Sequence, residues 1–243
     1  MTPRTVATRY SPAVLEGIAA GERVVLRLTL ARGDLGAVPE AAAIALARAE
    51  ELSATARERE PPDRPIACKK GCSACCSAKV LVAPPEAARI ADRARATLAP
   101  EVYTRLVERV HTAHARSRGL TRVERVRAAI PCPLLDDEGA CSLHEVRPLI
   151  CAGWSSLDKA GCDAHFREHT APVPPELHPQ SNEVCLAVLG GLIGACIDRK
   201  LDARPLELHA ALVIALADEH AGERWRRGEP VFEPAIDREV SPH

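Results

Sequence analysis

With 243 residues the chain is long enough to bury a core without crosslinks, so its 10 cysteines are not needed as staples for a fold too small to stand alone. Apolar residues make up 47%, but Ala, Leu and Val dominate them, and there are only two each of Trp, Tyr and Phe; this favours helices packed through small side chains over aromatic, β-branched sheets. The 32 basic residues against 33 acidic ones leave a net charge of −1, which excludes bulk electrostatic attraction to nucleic acid or to an anionic membrane.

The opening residues Met1 to Tyr10 lack the uninterrupted apolar stretch of a signal peptide. The longest apolar run, Val184 to Ile197, falls short of the ~20 residues that span a bilayer. Both point to a cytoplasmic protein with no membrane partner. In that compartment thiols stay reduced, and clustered cysteines mean metal or redox chemistry more often than disulfides.

Residues 1–38 read as a peripheral N-terminal arm. Ser11-Pro12 is an N-cap and first-turn pair that starts a short helix ending at Gly21. For Glu22 to Leu30, periodicity leaves strand and short helix open. A helical domain spans 39–227. Its first helix runs from Pro39 to Glu60, rich in Ala, and Pro61-Pro62-Asp63-Arg64-Pro65 ends it in a stiff link. Further helices are predicted from Pro84 to Leu98, from Pro100 to about Arg118, and from Thr121 to Ala129. Residues 131–180 carry seven prolines and little regular pattern, so something other than backbone ladders must organise them. Two core helices follow, Asn182 to Lys200 and Arg204 to about Arg227, and 228–243 form a C-terminal tail. In the first of these, Gly190-Gly191 reads as a close helix–helix contact rather than a nucleotide loop. The fold class is therefore mainly α, a single helical domain with an irregular cysteine-rich insert over 66–165.

Within that insert, Cys68, Cys72, Cys75 and Cys76 fall in nine residues, and Cys132, Cys141, Cys151 and Cys162 follow at open spacing. Free thiols crowded in this way are an oxidation hazard, which ligation to a metal or an iron–sulfur cluster removes. On a helix, at ~100° per residue, positions 68, 72, 75 and 76 share an arc of roughly 100°, but 68 and 76 would stand ~12 Å apart along the axis. One small centre with bonds of ~2.3 Å cannot take both. The segment is therefore a looped knuckle with Gly71 supplying an unusual dihedral, or its cysteines serve more than one metal. The adjacent pair Cys75-Cys76 leads to the same conclusion, because successive side chains diverge in extended structure. Downstream, Asp136-Asp137-Glu138-Gly139 is a turn signal, and a hairpin there would bring Cys132 and Cys141 together. Arg147 is placed to hydrogen-bond or partly neutralise the thiolates. Cys185 and Cys196, in Leu/Ala-rich helical surroundings, read as ordinary buried cysteines.

The ordered set Cys68-x3-Cys72-x2-Cys75-Cys76, Cys132-Pro133-Leu134, Cys141-x-Leu143-His144, Arg147-Pro148-x-x-Cys151 and Ala152-Gly153-Trp154 to Cys162 resembles the bacterial cysteine-cluster family of the YkgJ type, labelled as zinc- or iron-chelating. The resemblance covers about residues 66–165 and implies metal binding. His144 stands where many relatives carry an aromatic, which makes it a candidate extra ligand. The first three cysteines also have the spacing by which radical S-adenosylmethionine enzymes hold a [4Fe–4S] cluster, and the signature is similar to that of flagellin lysine methylases. An iron–sulfur cluster is therefore preferred, with zinc as the alternative, since thiolate-only sites suit both.

Other motifs carry less. Cys162-x2-His165-x3-His169 has knuckle-like spacing, although surface histidines are commoner than ligands. His111 and His114 are expected to face solvent, and Trp154 to shield the site. The Arg-rich stretch 116–127 contains Glu124 and no aromatics, so it reads as a solvated helix face. The expected function is a metal-binding protein whose cluster or zinc serves structure, redox sensing or metal handling. The alternative is a cluster-dependent methyltransferase or radical S-adenosylmethionine-type enzyme, although the alternating strands and helices of such barrels are absent.

Overall fold

The computed structural model describes residues 10–239, so the outermost parts of the expected arm (1–9) and tail (240–243) lie outside the described residues. The first helix, α1 (Pro12–Ala31), starts as expected: Ser11 Oγ accepts the Val14 N–H at 3.4 Å and Pro12 occupies the first turn. It does not stop at Gly21. It continues through Val24 to Leu30, because Leu26 and Leu30, one turn apart, both bury completely in the main core. The segment expected as a peripheral arm is thus part of the packed body.

α1 lies along α8 (Pro179–Asp198), and an Arg23–Asp198 ion pair joins them. Of the Gly190-Gly191 pair, Gly191 makes the close contact; a Cβ there would sit 2.8 Å from the Ala19 carbonyl oxygen. By length and composition alone α8 would suit a bilayer, yet half of it is buried against its neighbours, as in the core helix of a packed domain. Against both α8 and α1 packs α2 (Ala37–Arg59), whose Ala41, Ala45 and Ala49 form one fully buried stripe that allows close approach. α3 (Pro84–Thr97) and α4 (Pro100–Ser117) complete the layer beneath, with α9 (Leu208–Ala217) against both.

The single helix expected over 204–227 is broken into α9 and α10 (Ala221–Arg226). Asp218 is the cause. Its Oδ1 accepts the His220 N–H at 2.8 Å and its carbonyl accepts Ala221 N–H at 3.1 Å, a local turn that competes with helix. Ahead of α9, β2 (Leu206–Glu207) pairs antiparallel with β1 (Leu81–Val82), with Val82 opposite Leu206. That ladder anchors the chain emerging from the first cysteine loop onto the core. The remaining short helices are α5 (Arg122–Arg127), α6 (Leu149–Gly153) and α7 (Lys159–Phe166), which frame the cysteine-rich region.

Under α5 lies a buried polar group. His209, 2% exposed, has Nδ1 3.1 Å from Ser117 Oγ and Nε2 3.1 Å from Arg125 Nη2. Arginine can only donate, so Nε2 accepts and the ring is neutral. Burial first, and then the Arg125 charge, holds its pKa down at about 3. An unfolded histidine titrates near ~6.5, so on acidification the unfolded chain takes the proton first. The stabilisation is complete above that value and is lost as pH falls toward the folded one. Unfolding free energy is expected to drop by up to about 2 kcal/mol between pH 8 and pH 5. Urea melts of His209→Gln should lose this slope; an unchanged pH profile would show that the ring titrates freely. His114, expected in solvent, is instead half-buried, with an Nδ1 that has no hydrogen-bond partner.

Candidate metal centre

The chain enters the site beyond the proline link, where Ala67 N–H donates to the Ser156 carbonyl at 2.8 Å. Cys72 N–H closes a turn on the Lys69 carbonyl at 2.9 Å, and Gly71 sits at φ +81°, a conformation that favours glycine. A single 3-10 turn, Ala74–Ser77, follows. The segment is thus a looped knuckle and not a helix. Its last two cysteines go different ways. Cys75 packs with Ala74, Cys162, Phe166 and Trp154 in a small apolar cluster separate from the main core. The Cys76 carbonyl accepts the Cys132 N–H at 2.8 Å. Their thiols remain in hydrogen-bond contact, which raises the pKa of Cys75 and lowers that of Cys76.

The turn at Asp136 to Gly139 forms as expected. Asp136 Oδ1 accepts the Glu138 and Ala140 N–H groups at 3.0 and 2.8 Å, and Gly139 takes φ +74°. The hairpin it closes sets Cys141 opposite Leu135, and a Cβ on Gly139 would lie 3.7 Å from the Gly71 carbonyl oxygen, so the two glycine turns stack. Cys132 and Cys141 each have a sulfur hydrogen-bonded by the amide two residues ahead, Leu134 and Leu143. Amide N–H groups aimed at sulfur favour the thiolate. Burial outweighs them: it pushes Cys132 up to about 12, and burial followed by the charges of Cys132, Cys76 and Cys141 drives Cys151 well above an ordinary thiol.

Cys162 sits on α7, whose N-cap Asp158 accepts the Gly161 N–H at 2.8 Å. Ser156, fully buried, ties this helix to the first loop. Its N–H donates to Cys68 Sγ at 3.2 Å and its hydroxyl hydrogen-bonds the Cys162 thiol. Sequence reasoning missed Ser156, since nothing in the sequence separates it from Ser155 beside it. Trp154 does lie over the cluster, edge-on to Phe166 at 5.7 Å, and its carbonyl is 3.6 Å from Cys68 Sγ.

The donor set fits a thiolate-bound cation. Thiols facing one another in a desolvated setting, with amides already aimed at three of them, can ionise together only with a positive charge among them. As free thiols they are not closed around a centre: among the described residues, no group of three or more His, Cys, Asp or Glu is arranged to hold an ion as it stands. Arg147 is half committed elsewhere, bonding Glu50 at 2.7 Å and His144 Nδ1 at 3.0 Å. His144 is exposed and engaged by that arginine, while His165 Nδ1 lies 3.0 Å from the Ala171 carbonyl and its ring stacks edge-on to Phe166. His169 is exposed at φ +56°. Cys185 and Cys196 are 2% and 0% exposed inside the main core, as the apolar reading anticipates, and Cys185 also borders the cleft that Cys68 and Cys151 line. A cleft of about 470 Å³ borders the site, lined by Arg57, Cys68, His144, Arg147, Cys151 and Trp154 among others.

Residues 67–166 match the CxxCxxCC family model, described as a "putative zinc- or iron-chelating domain". The resemblance carried by the cysteine motifs is thus shown over that stretch. No curated protein and no solved structure matches the chain.

Proposed function

From this zinc- or iron-chelating domain as premise, we propose that the protein is a cytoplasmic metalloprotein. In this reading Cys68, Cys72, Cys75, Cys76, Cys132, Cys141, Cys151 and Cys162 are the metal ligands, and an iron–sulfur cluster is bound in preference to zinc. The observation that carries the reading is the segregation of the cysteines. Eight collect where the two glycine turns, α6 and α7 meet, with N–H or O–H donors on four of their sulfurs, while two stay in the helical core. When bound, the metal supplies the positive charge that lets buried thiols ionise, and a cluster adds a one-electron couple. The chain's own residues position the sulfurs through Ser156, Leu134 and Leu143. The role is structural, redox or metal handling. The Cys68-x3-Cys72-x2-Cys75 spacing supports the cluster over zinc. The enzyme alternative gains no support, since the strands among the described residues amount to the β1–β2 pair.

The test is metal and acid-labile sulfide content, with an absorption spectrum, on protein purified without oxygen. Iron with sulfide supports a cluster; zinc without sulfide makes the protein a structural module. Cys72→Ser is expected to lose bound metal and Cys196→Ser to keep the parent's content. Equal metal in the Cys72 variant and the parent would defeat its assignment as a ligand.

A further inference from the structure

The candidate cysteines are gathered by two different sets of contacts, on either side of the Cys75–Cys76 peptide. We infer that they form two separate four-thiolate centres divided at the Cys75–Cys76 peptide: an inner one held by Cys76, Cys132, Cys141 and Cys151, and an outer one held by Cys68, Cys72, Cys75 and Cys162. The inference rests on the metal-binding reading and adds how the ligands divide.

The inner set is drawn together by the main chain. Cys132 N–H is bonded to the Cys76 carbonyl at 2.8 Å, and the Asp136 to Gly139 hairpin returns Cys141 beside the same strand. Cys151 is delivered by α6, whose Leu149 N–H is bonded to buried Glu86 Oε1 at 2.8 Å. Cys132 and Cys141 pack against the main core. The outer set is drawn together by Ser156, which bonds Cys68 and Cys162, and by the apolar cluster that packs Cys75 against Cys162 and Phe166. Cys162 feels the charges of Cys68 and Cys72, whereas Cys132 and Cys141 feel Cys76. The Cys75 and Cys76 thiols touch, and Cys75 feels both Cys151 and Cys68, so the two centres abut at the dipeptide.

Four thiolates complete a tetrahedral zinc site or a four-iron cluster, so each quartet is saturated without a histidine. That accords with His144, His165 and His169 all being engaged elsewhere or exposed. The two centres differ in access. Cys68 is exposed and opens on the cleft, while Cys76, Cys132, Cys141 and Cys151 are each half-buried, and of these only Cys151 borders the cleft. The outer centre is therefore the one that exchanges its metal.

The test uses the full chain, loaded with Zn2+ alone, with zinc per chain and its release to a chromogenic chelator as readouts. The parent is expected to hold about two zinc ions, the content of two four-thiolate sites, and to release them in a fast and a slow phase. Cys162→Ser should halve the zinc and remove only the fast phase; Cys141→Ser should remove the slow phase. Should either fail to fold, Cys68→Ser, at an exposed position, repeats the outer-centre test. Complete loss of zinc from a folded outer-centre variant would show one shared centre, and full retention would remove that cysteine from the quartet. Either result, or a parent holding one zinc in a single release phase, overturns the division and leaves the metal-binding reading standing. A parent that holds neither zinc nor iron overturns that reading itself.

Discussion

Glu86→Ala is expected to cost about 3 kcal/mol of stability, as the loss of a buried carboxylate that satisfies two buried amides implies. Glu86 is 5% exposed at the start of α3, and it does two jobs with one side chain. Oε2 accepts the Ala83 N–H at 2.8 Å, completing the cap of its own helix, and Oε1 accepts the Leu149 N–H at 2.8 Å, fixing the first turn of α6. Burial pushes its pKa up, and the Leu149 and Ala83 amides hold it down. Alanine would leave both amides dry and unpaired. Because Cys151 lies two residues beyond Leu149, the same substitution should loosen the candidate metal centre. Glu86→Gln keeps one acceptor oxygen and turns the other into an NH2 donor, so only one of the two amides lacks a partner and the cost should be about half as much. Urea melts, with metal content on the same samples, check both effects. A Glu86→Ala protein as stable as the parent would mean that water reaches those amides.

A comparable loss is expected from Gly191→Leu, about 3 kcal/mol, at the upper end of what overpacking a close contact costs. A Cβ at Gly191 would stand 2.8 Å from the Ala19 carbonyl oxygen, 2.9 Å from Glu22 Cβ and 3.2 Å from the Arg23 amide nitrogen. Two of these are backbone atoms, so no rotamer change relieves the clash; α1 must move off α8. The neighbouring Gly190 meets nothing within 4 Å and serves as the control. Gly190→Leu should leave thermal unfolding nearly unchanged or raise it slightly, because leucine is the better helix former. If both variants melt like the parent, α1 is not packed on α8 as described.

Much of the fold was legible where a residue's own chemistry sets its conformation. Ser11-Pro12, Pro84-Pro85 and Pro100 begin helices, and the proline link ends α2 at Arg59, because a ring without an N–H admits few alternatives. Gly71 and Gly139 take the positive φ that their turns require. Three elements were not legible. The extension of α1 past Gly21 depends on Leu26 and Leu30 finding the main core, the break at Asp218 on a side-chain hydrogen bond, and the start of α8 at Pro179 rather than near Asn182 on the His178 cap.

The candidate site divides in the same way. Which cysteines are its candidate ligands was read from the sequence itself, because ligand spacing and the turns between cysteines are local properties that one stretch of chain carries. That Cys75 and Cys76 look to different partners also followed from local geometry. Which partners they have did not. Only the tertiary structure sets Cys132 beside Cys76, brings α7 back so that Cys162 meets Cys75, and places Ser156 between Cys68 and Cys162. These are contacts across tens of residues. They depend on how buried helices and turns stack against one another, and no short window of sequence encodes that stacking.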